Sequence, residues 1–147
     1  MTEEGLRLLR VLGCLPNGLG HHDLDAVYPV YGHKAAATLR QTGLAFDEGF
    51  SLRMLAPLRE YMWRKRPPQA GDLDPVFAYY IGRDASLRGE MVYKGGPILV
   101  QVAEEIVGLT QVVSFVDSMK AMIQRARAEG RSQLADYATM KLRRRSA

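Results

Sequence analysis

Three neighbouring side chains near the N-terminus are of types that bind metal ions: His21, His22 and Asp23. Imidazole and carboxylate groups are common zinc ligands, but adjacent positions on a helix point about 100° apart. Two neighbours therefore cannot hold one ion without a loop geometry, and no Cys or His stands three or four residues away. We interpret the trio as a solvated helix start and predict no metal.

Motifs for phosphate binding and nucleophilic catalysis are missing from the sequence. It contains neither a G-x-x-x-x-G-K-[ST] loop nor a G-x-S-x-G elbow. The glycines of residues 94–97 lack the lysine and hydroxyl that such a loop needs, and carboxylate pairs such as Asp72 and Asp74 are typical of capping or solvation. We predict that this chain is not an enzyme and holds no cofactor of its own.

Composition is typical of a folded protein without a basic domain. The 147 residues are 47% hydrophobic and 24% charged, with a net charge of +4. Residues 1–66 hold 9 basic and 7 acidic side chains, and residues 67–147 hold 11 and 9. The charge is spread evenly, whereas nucleic-acid binders usually concentrate it.

A single cysteine, Cys14, excludes an internal disulfide framework and is typical of a reducing compartment. It lies on the apolar side of a predicted helix, so we expect a buried, inert thiol. The chain shows no signal peptide and no apolar run of the roughly 20 residues that span a bilayer. These features predict a cytoplasmic protein without a membrane segment.

Helical periodicity in the first half is interrupted by turn residues. It predicts a first helix that begins after Thr2 and ends before the turn Pro16-Asn17-Gly18, a second over 22–28 and a third over 33–42. The segment "LAFDEGFSLRML" alternates about Asp47-Glu48-Gly49, which predicts a hairpin of two strands.

The segment "SLRMLAPLREYM" joins the second strand of this hairpin to a fourth helix. Pro57 suits the first turn of a helix, where its missing N–H costs nothing. The pattern predicts a buried set and an outward set on this helix. The buried set is Leu58, Tyr61 and Met62, and the outward set is Arg59, Glu60 and Arg64.

The fold class predicted from these elements is mainly α. Three helices, a hairpin and a following helix make a winged-helix domain over residues 3–66. Residues 67–73 are a linker by composition. Residues 74–145 form a helical segment: one helix from Asp74, a break at Lys94-Gly95-Gly96, a helix from Pro97, and two further helices divided by Gly130. The last pair is the size of one tetratricopeptide-like unit.

Winged helices commonly bind DNA through their third helix. Here that helix offers His33, Lys34 and Arg40, with Arg53 in the hairpin. Its middle is Ala35–Ala37, which leaves few side chains long enough to contact bases or phosphates. Close packing against another protein is the favoured interpretation, and a small DNA-binding regulator with a helical dimerisation tail is the alternative.

Two stretches carry a family resemblance: "LRLLRVLGCLPNGLGHHDLDAV" and "AAATLRQTGLAFDEGFSLRMLAPLREYMWRKRPP". Over residues 6–68 they resemble the winged-helix segment of NB-ARC-type signalling NTPases of the STAND class, particularly those with tetratricopeptide repeats. Downstream, "DLDPVFAYYIG" and "AEEIVGLTQVV" resemble the helical connector that leads into such repeats.

The resemblance implies a switch for signal transduction, in which the winged helix closes over ADP held by an upstream P-loop domain. A Met-His-Asp-like motif makes the contact in that family. Its positions fall on Met54, Leu55 and Ala56, so the histidine and aspartate are missing; Arg53 or Arg59 are the candidate charge partners.

The P-loop domain implied by the resemblance is not in this sequence. We expect the chain to be a fragment of such a protein, or an NTPase to be supplied by a partner chain. The expected partners are an NB-ARC domain upstream, in cis or in trans, and tetratricopeptide-like repeats downstream. ADP or ATP is expected in the NTPase domain, not in this chain.

Overall fold

Local capping signals set the first helix. A computed structural model describes residues 2–90 and 99–143, and in it the hydroxyl of Thr2 accepts a hydrogen bond from the Gly5 amide. The helices of the described residues are α1 Glu3–Gly13, α2 His21–Val27, α3 Gly32–Gln41, α4 Ala56–Lys65, α5 Asp74–Glu90, α6 Leu99–Ala128 and α7 Ser132–Arg143. The strands are β1 Leu19–Gly20, β2 Phe46–Glu48 and β3 Ser51–Arg53. The chain is thus mainly helical with a small antiparallel sheet, as the composition and periodicity predict.

The sheet has three strands in the described part of the chain, in the order β1-β3-β2. Leu52 of β3 lies between Leu19 of β1 and Asp47 of β2, and both pairings are antiparallel. Sequence patterns missed β1, because two residues are too few to show alternation. Gly18 leads into β1 with φ +74°, and a Cβ there would lie 2.3 Å from the carbonyl oxygen of Leu52.

The hairpin turn lies one residue later than the sequence predicts. Asp47 and Glu48 belong to β2, and the turn is made by Gly49, with φ +61°, and Phe50. The prediction that Asp47 and Glu48 form the turn is therefore wrong, and the contacts of Asp47 give the physical reason. Asp47 contacts Arg40 of α3 at 3.0 Å and His21 of α2 at 2.8 Å, and these contacts favour its place in the strand over a place in the turn.

Helix α4 begins at Ala56, with Pro57 in its first turn as predicted, but its buried face differs from the prediction. Met62 is buried and Leu58 partly buried, whereas Tyr61 is 56% exposed and Trp63 only 1%. Arg59 and Glu60, expected to face outward, are only partly exposed, and Arg64 is exposed. The buried face differs because a tertiary contact covers it: Arg125 of α6 lies over the Trp63 ring, and the residue pattern of α4 alone does not show this contact.

Residues 67–73, a linker by composition, are packed against the first half of the chain. Ala70–Leu73 form a short 3-10 helix, and Leu73 is fully buried. The carboxylate of Asp72 accepts a 2.8 Å hydrogen bond from Nε of Arg10 in α1. One continuous core runs from α1 to α7, and its most deeply buried members include Leu12, Leu52, Trp63, Phe77 and Met119.

The C-terminal helices form an antiparallel hairpin beside α5. Helix α6 runs unbroken through residues 99–128, so the helix predicted from Pro97 and the helix predicted before Gly130 are one over these residues. Ser118 and Met119, inside this helix, are buried in the core. Gly130, with φ +75°, separates α6 from α7 as predicted. The predicted break at residues 94–96 and the helix start at Pro97 lie outside the described residues. None of the described helices is long and apolar enough to cross a membrane.

Candidate functional site

The junction between β3 and α4 is built by strand alternation followed by a proline-started helix. Leu52 and Met54 point into the core, and Arg53 between them lies at the surface. The chain then turns outward, so that Leu55, the residue that precedes α4, is 59% exposed. Of the positions implied by the resemblance, Met54 is therefore a core residue, whereas Leu55 and Ala56 face solvent.

Arg53 fixes the hairpin to the loop that follows α1. One of its terminal nitrogens donates a 2.8 Å hydrogen bond to the carbonyl oxygen of Pro16, and the other lies 3.1 Å from the carboxylate of Glu48. The guanidinium already has a backbone and a carboxylate partner. This arrangement makes Arg53 a structural contact of the junction.

Arg59, one turn into α4, has a different environment. It lines a cleft of about 60 Å³ between the end of α1, α4 and α6, opposite Arg125. Its Nε, like that of Arg53, is buried without a hydrogen-bond partner among the described residues. Burial lowers the pKa of this guanidinium, and the positive charges of Arg53 and Arg125 lower it further, against an opposing effect of Glu60.

Trp63 connects α4 to the α6–α7 turn. Its indole N–H donates a hydrogen bond to the carboxylate of Glu129, and its ring lies beneath the guanidinium groups of Arg125 and Arg131, at 5.0 and 5.2 Å from the ring centroid. Arg125 also makes two hydrogen bonds, of 2.9 and 2.5 Å, to the carboxylate of Glu60. We call Trp63, Glu60, Arg125, Glu129 and Arg131 the Trp63 cluster.

The residues predicted for DNA contact are mostly engaged with carboxylates. His33 lies 2.6 Å from Asp25, and Arg40 lies 3.0 Å from Asp47. Burial opposes ionisation of Asp47, but hydrogen bonds from Arg40 and His21 outweigh it and lower its pKa. Lys34 is exposed on α3. With Arg53 bound to Glu48, three of the four candidates are paired within the chain.

His21 and Asp23, two of the three potential metal ligands at the start of α2, have different partners. His21 lies 2.8 Å from Asp47, and Asp23 is fully buried, where it accepts hydrogen bonds of 2.6 and 2.7 Å from the hydroxyls of Tyr79 and Tyr80. Burial raises the pKa of Tyr80, as does the neighbouring Asp23. Within residues 2–90 and 99–143 no group of three potential ligands is placed to hold a metal ion.

Cys14 is buried at the end of α1, as its position on the apolar face predicts. Its thiol donates to the carbonyl oxygen of Val11 at 3.1 Å, and burial raises its pKa to about 12. The thiolate is therefore not populated near neutral pH, which makes Cys14 a packing residue.

Sequence reasoning missed the Trp63 cluster, the tyrosine pair around Asp23 and the isolation of Arg59. The one signal available was the single Trp in a helix rich in arginine. Protein-family models, curated proteins and solved structures give no match to this chain. The assignment of function therefore depends on the geometry above and on the resemblance over residues 6–68.

Proposed function

We propose that this chain is a non-catalytic regulatory module of a STAND or NB-ARC-type signal-transduction NTPase. Residues 3–66 are its winged helix, residues 74–145 its helical connector, and α6–α7 lead toward tetratricopeptide-like repeats. The element order along the chain is α1-β1-α2-α3-β2-β3, with α4 directly after the hairpin, and this order supports the winged-helix proposal. The module passes the nucleotide state of an NB-ARC domain, in cis or on a partner chain, to the repeats through protein contacts.

The observation that carries the proposal is the continuous connection from β3 through α4 to α6 and α7. Leu55 presents an exposed apolar side chain at the start of α4, and Trp63, two turns later, is fixed to Glu129 and two arginines. A partner that displaces Leu55 must move α4 against this cluster. The junction thus supports mechanical transmission without a polar group that senses nucleotide at Leu55 or Ala56.

Direct DNA binding is the competing proposal, and the carboxylate contacts of His33, Arg40 and Arg53 count against it. Each of these side chains has to leave a carboxylate before it can contact a phosphate. The acidic partners Asp25, Asp47 and Glu48 also stand beside the surface that the DNA backbone would approach, where they repel it.

A binding assay with matched variants distinguishes the two proposals. The purified chain is titrated with an ADP-loaded NB-ARC core and, separately, with a DNA duplex at low and high salt. Leu55→Glu is compared with Met140→Glu, which changes a similarly exposed apolar side chain on α7. We expect the core to bind the wild-type chain, Leu55→Glu to weaken binding at least tenfold, and Met140→Glu to leave it unchanged.

Two results would overturn the proposal. One is a failure of the core to bind the wild-type chain. The other is duplex binding whose affinity falls steeply with salt, because that dependence is typical of phosphate contacts by lysine and arginine.

A further inference from the structure

A pocket of about 210 Å³ opens where the loop between α2 and α3 meets the first two turns of α1. Most of its lining side chains are apolar or aromatic, and they include Val27, Tyr28, Val30, Tyr31 and Ala35. Sites for drug-sized ligands usually enclose roughly 300–1,000 Å³. The pocket therefore has the size for a smaller organic molecule.

The loop that forms one wall of the pocket is held by backbone contacts. The amide of Gly32 donates a 2.8 Å hydrogen bond to the carbonyl oxygen of Tyr28, and the amide of Tyr28 donates a 2.9 Å bond to that of Leu24. A Cβ at Gly32 would lie 2.8 Å from the carbonyl oxygen of Leu24, so the loop packs directly on α2. Val30 and Tyr31 remain exposed at the rim. The pocket is thus formed before any ligand binds, as ligand sites usually are.

Two opposite charges stand on the α1 side of the pocket. Glu4 and Arg7 both line it, and their spacing of three residues places them on one face of the helix. Among the described residues the Glu4 carboxylate has no hydrogen bond or ion pair, and the one ion pair of Arg7 is a 3.7 Å contact with Asp72. The side chain of Arg7 is 45% exposed. Both charges are therefore accessible to a ligand in the pocket.

The hydroxyl of Tyr28 is a third polar group beside this charge pair. It is buried without a hydrogen-bond partner among the described residues. Burial raises the pKa of Tyr28 and the charge of Arg7 opposes this rise, so the hydroxyl lies within electrostatic range of the guanidinium. Several other side chains have such atoms, so this hydroxyl is informative only together with the pocket that Tyr28 lines and with the charges of Glu4 and Arg7.

We propose that this pocket binds a free α-amino acid with an aromatic side chain. Tyr28 and Tyr31 favour an aromatic ring as the apolar part of the ligand, because aromatic pairs attract one another beyond their buried area. Arg7 binds the α-carboxylate through its planar fork of N–H donors, and the Tyr28 hydroxyl donates to the same group. Glu4 pairs with the α-ammonium group.

The two charges of the pocket distinguish this ligand from other classes. An apolar anion would leave Glu4 unpaired beside it, and an apolar cation would leave Arg7 with only its 3.7 Å contact to Asp72. A residue within a peptide chain carries neither α-charge, whereas a free amino acid carries both on neighbouring atoms. No lining residue belongs to β3 or α4, so this inference stands or fails separately from the proposed function.

The first test titrates the whole chain by calorimetry with L-phenylalanine and with three analogues that each lack one part of it. L-phenylalaninamide lacks the carboxylate, hydrocinnamate lacks the ammonium group, and L-alanine lacks the ring. We expect saturable binding of L-phenylalanine and binding at least tenfold weaker for each analogue. The proposal is overturned if L-phenylalanine shows no saturable binding at millimolar concentration, or if any analogue binds as tightly. Equal binding of the amide would instead identify the N-terminal residue of a peptide as the ligand.

Matched variants locate the binding. Glu4→Gln and Arg7→Gln are compared with Asp117→Asn and Arg64→Gln, which change an exposed carboxylate on α6 and an exposed guanidinium on α4. We expect each pocket variant to weaken binding of L-phenylalanine at least tenfold and each control to leave it unchanged. Unchanged binding in either pocket variant would contradict the proposal.

A measurement on the wild-type chain needs no variant to fold. Nuclear Overhauser effects are recorded between the ring protons of bound L-phenylalanine and the valine methyl groups of the protein. We expect contacts to Val27 and Val30, which line the pocket, and none to Val113, which is exposed on α6. A saturated sample without contacts to Val27 and Val30 would place the ligand elsewhere and refute the assignment of this pocket.

Discussion

The Trp63–Glu129 hydrogen bond is the contact through which α4 is held to the α6–α7 turn, and a double-mutant cycle measures it. Trp63→Phe keeps an aromatic ring in the buried site but removes the indole N–H. Glu129→Ala removes the acceptor. The cycle compares the two single variants with the double variant, so that losses unrelated to the pair cancel.

The expected coupling follows from the burial of the two partners. A hydrogen bond to a charged group contributes about 1.5–3 kcal/mol. Trp63 is 1% exposed, but the side chain of Glu129 is 34% exposed, so solvent screening reduces the value. We therefore expect a coupling free energy of about 1–2 kcal/mol. Trp63→Phe alone should cost about 1–3 kcal/mol, because it also weakens the stacking of Arg125 and Arg131 on the ring.

Urea unfolding followed by circular dichroism gives the four free energies of unfolding. Tyr61→Phe with Glu129→Ala is the matched control, because Tyr61 lies on the same helix but is exposed. We expect no coupling in the control beyond about 0.3 kcal/mol, the usual limit of additivity. A Trp63–Glu129 coupling within that same limit would refute the assignment of this contact as the link between α4 and the C-terminal hairpin.

Three further predictions test the packing around the junction. Burial opposes ionisation of Asp72, but hydrogen bonds and charge from Arg10 lower its pKa; its ionised form therefore stabilises the fold above the unfolded-state value of about 3.9 and is lost as the pH falls through the lower folded value. In urea unfolding, Asp72→Asn should cost about 1–3 kcal/mol at pH 7, and this difference should shrink as the pH falls through the folded pKa; a difference that stays constant with pH would contradict this. Gly18→Ala should lower the free energy of unfolding by at least about 2 kcal/mol more than Gly43→Ala does. Both residues have φ +74°, but only at Gly18 would the added Cβ meet a backbone carbonyl oxygen, that of Leu52. Equal melting temperatures of the two variants would contradict this prediction. Tyr80→Phe should cost about 1–3 kcal/mol, because it takes a hydroxyl donor from the buried Asp23, and unchanged stability would show that the bond contributes nothing.

Elements with local signals were predictable from the sequence. Thr2 caps α1, Pro57 lies in the first turn of α4, and Gly43 and Gly130 end their helices with positive φ. These residues act through their own backbone and their immediate neighbours. A pattern within ten residues is sufficient to place them.

Features that depend on distant segments were not predictable. Strand β1 is defined by its pairing with Leu52, and the burial of Trp63 is defined by residues more than 60 positions away. The predicted linker is ordered by Asp72, whose partner is Arg10 in α1. Each is a long-range contact that leaves no period in its own segment.

The resemblance alone selects the candidate positions at the junction of β3 and α4, and the sequence does not separate their roles. The resemblance drew attention to residues 53–59, and the structure gives these positions three different roles. Met54 is in the core, Arg53 is tied to Pro16 and Glu48, and Arg59 lines a cleft. Only the arrangement of α1, α4 and α6 around the junction separates them.

The central claim is that the chain responds to nucleotide state through protein contact, and its most direct test is a comparison of affinities. The purified chain is titrated by calorimetry with one NB-ARC core loaded with ADP and with the same core loaded with a non-hydrolysable ATP analogue. A module that passes on this state must bind the two forms differently, by about 5- to 150-fold for coupling of ordinary size. We predict tighter binding to the ADP form, and Leu55→Glu should remove the difference. Equal affinities for the two forms would contradict the account.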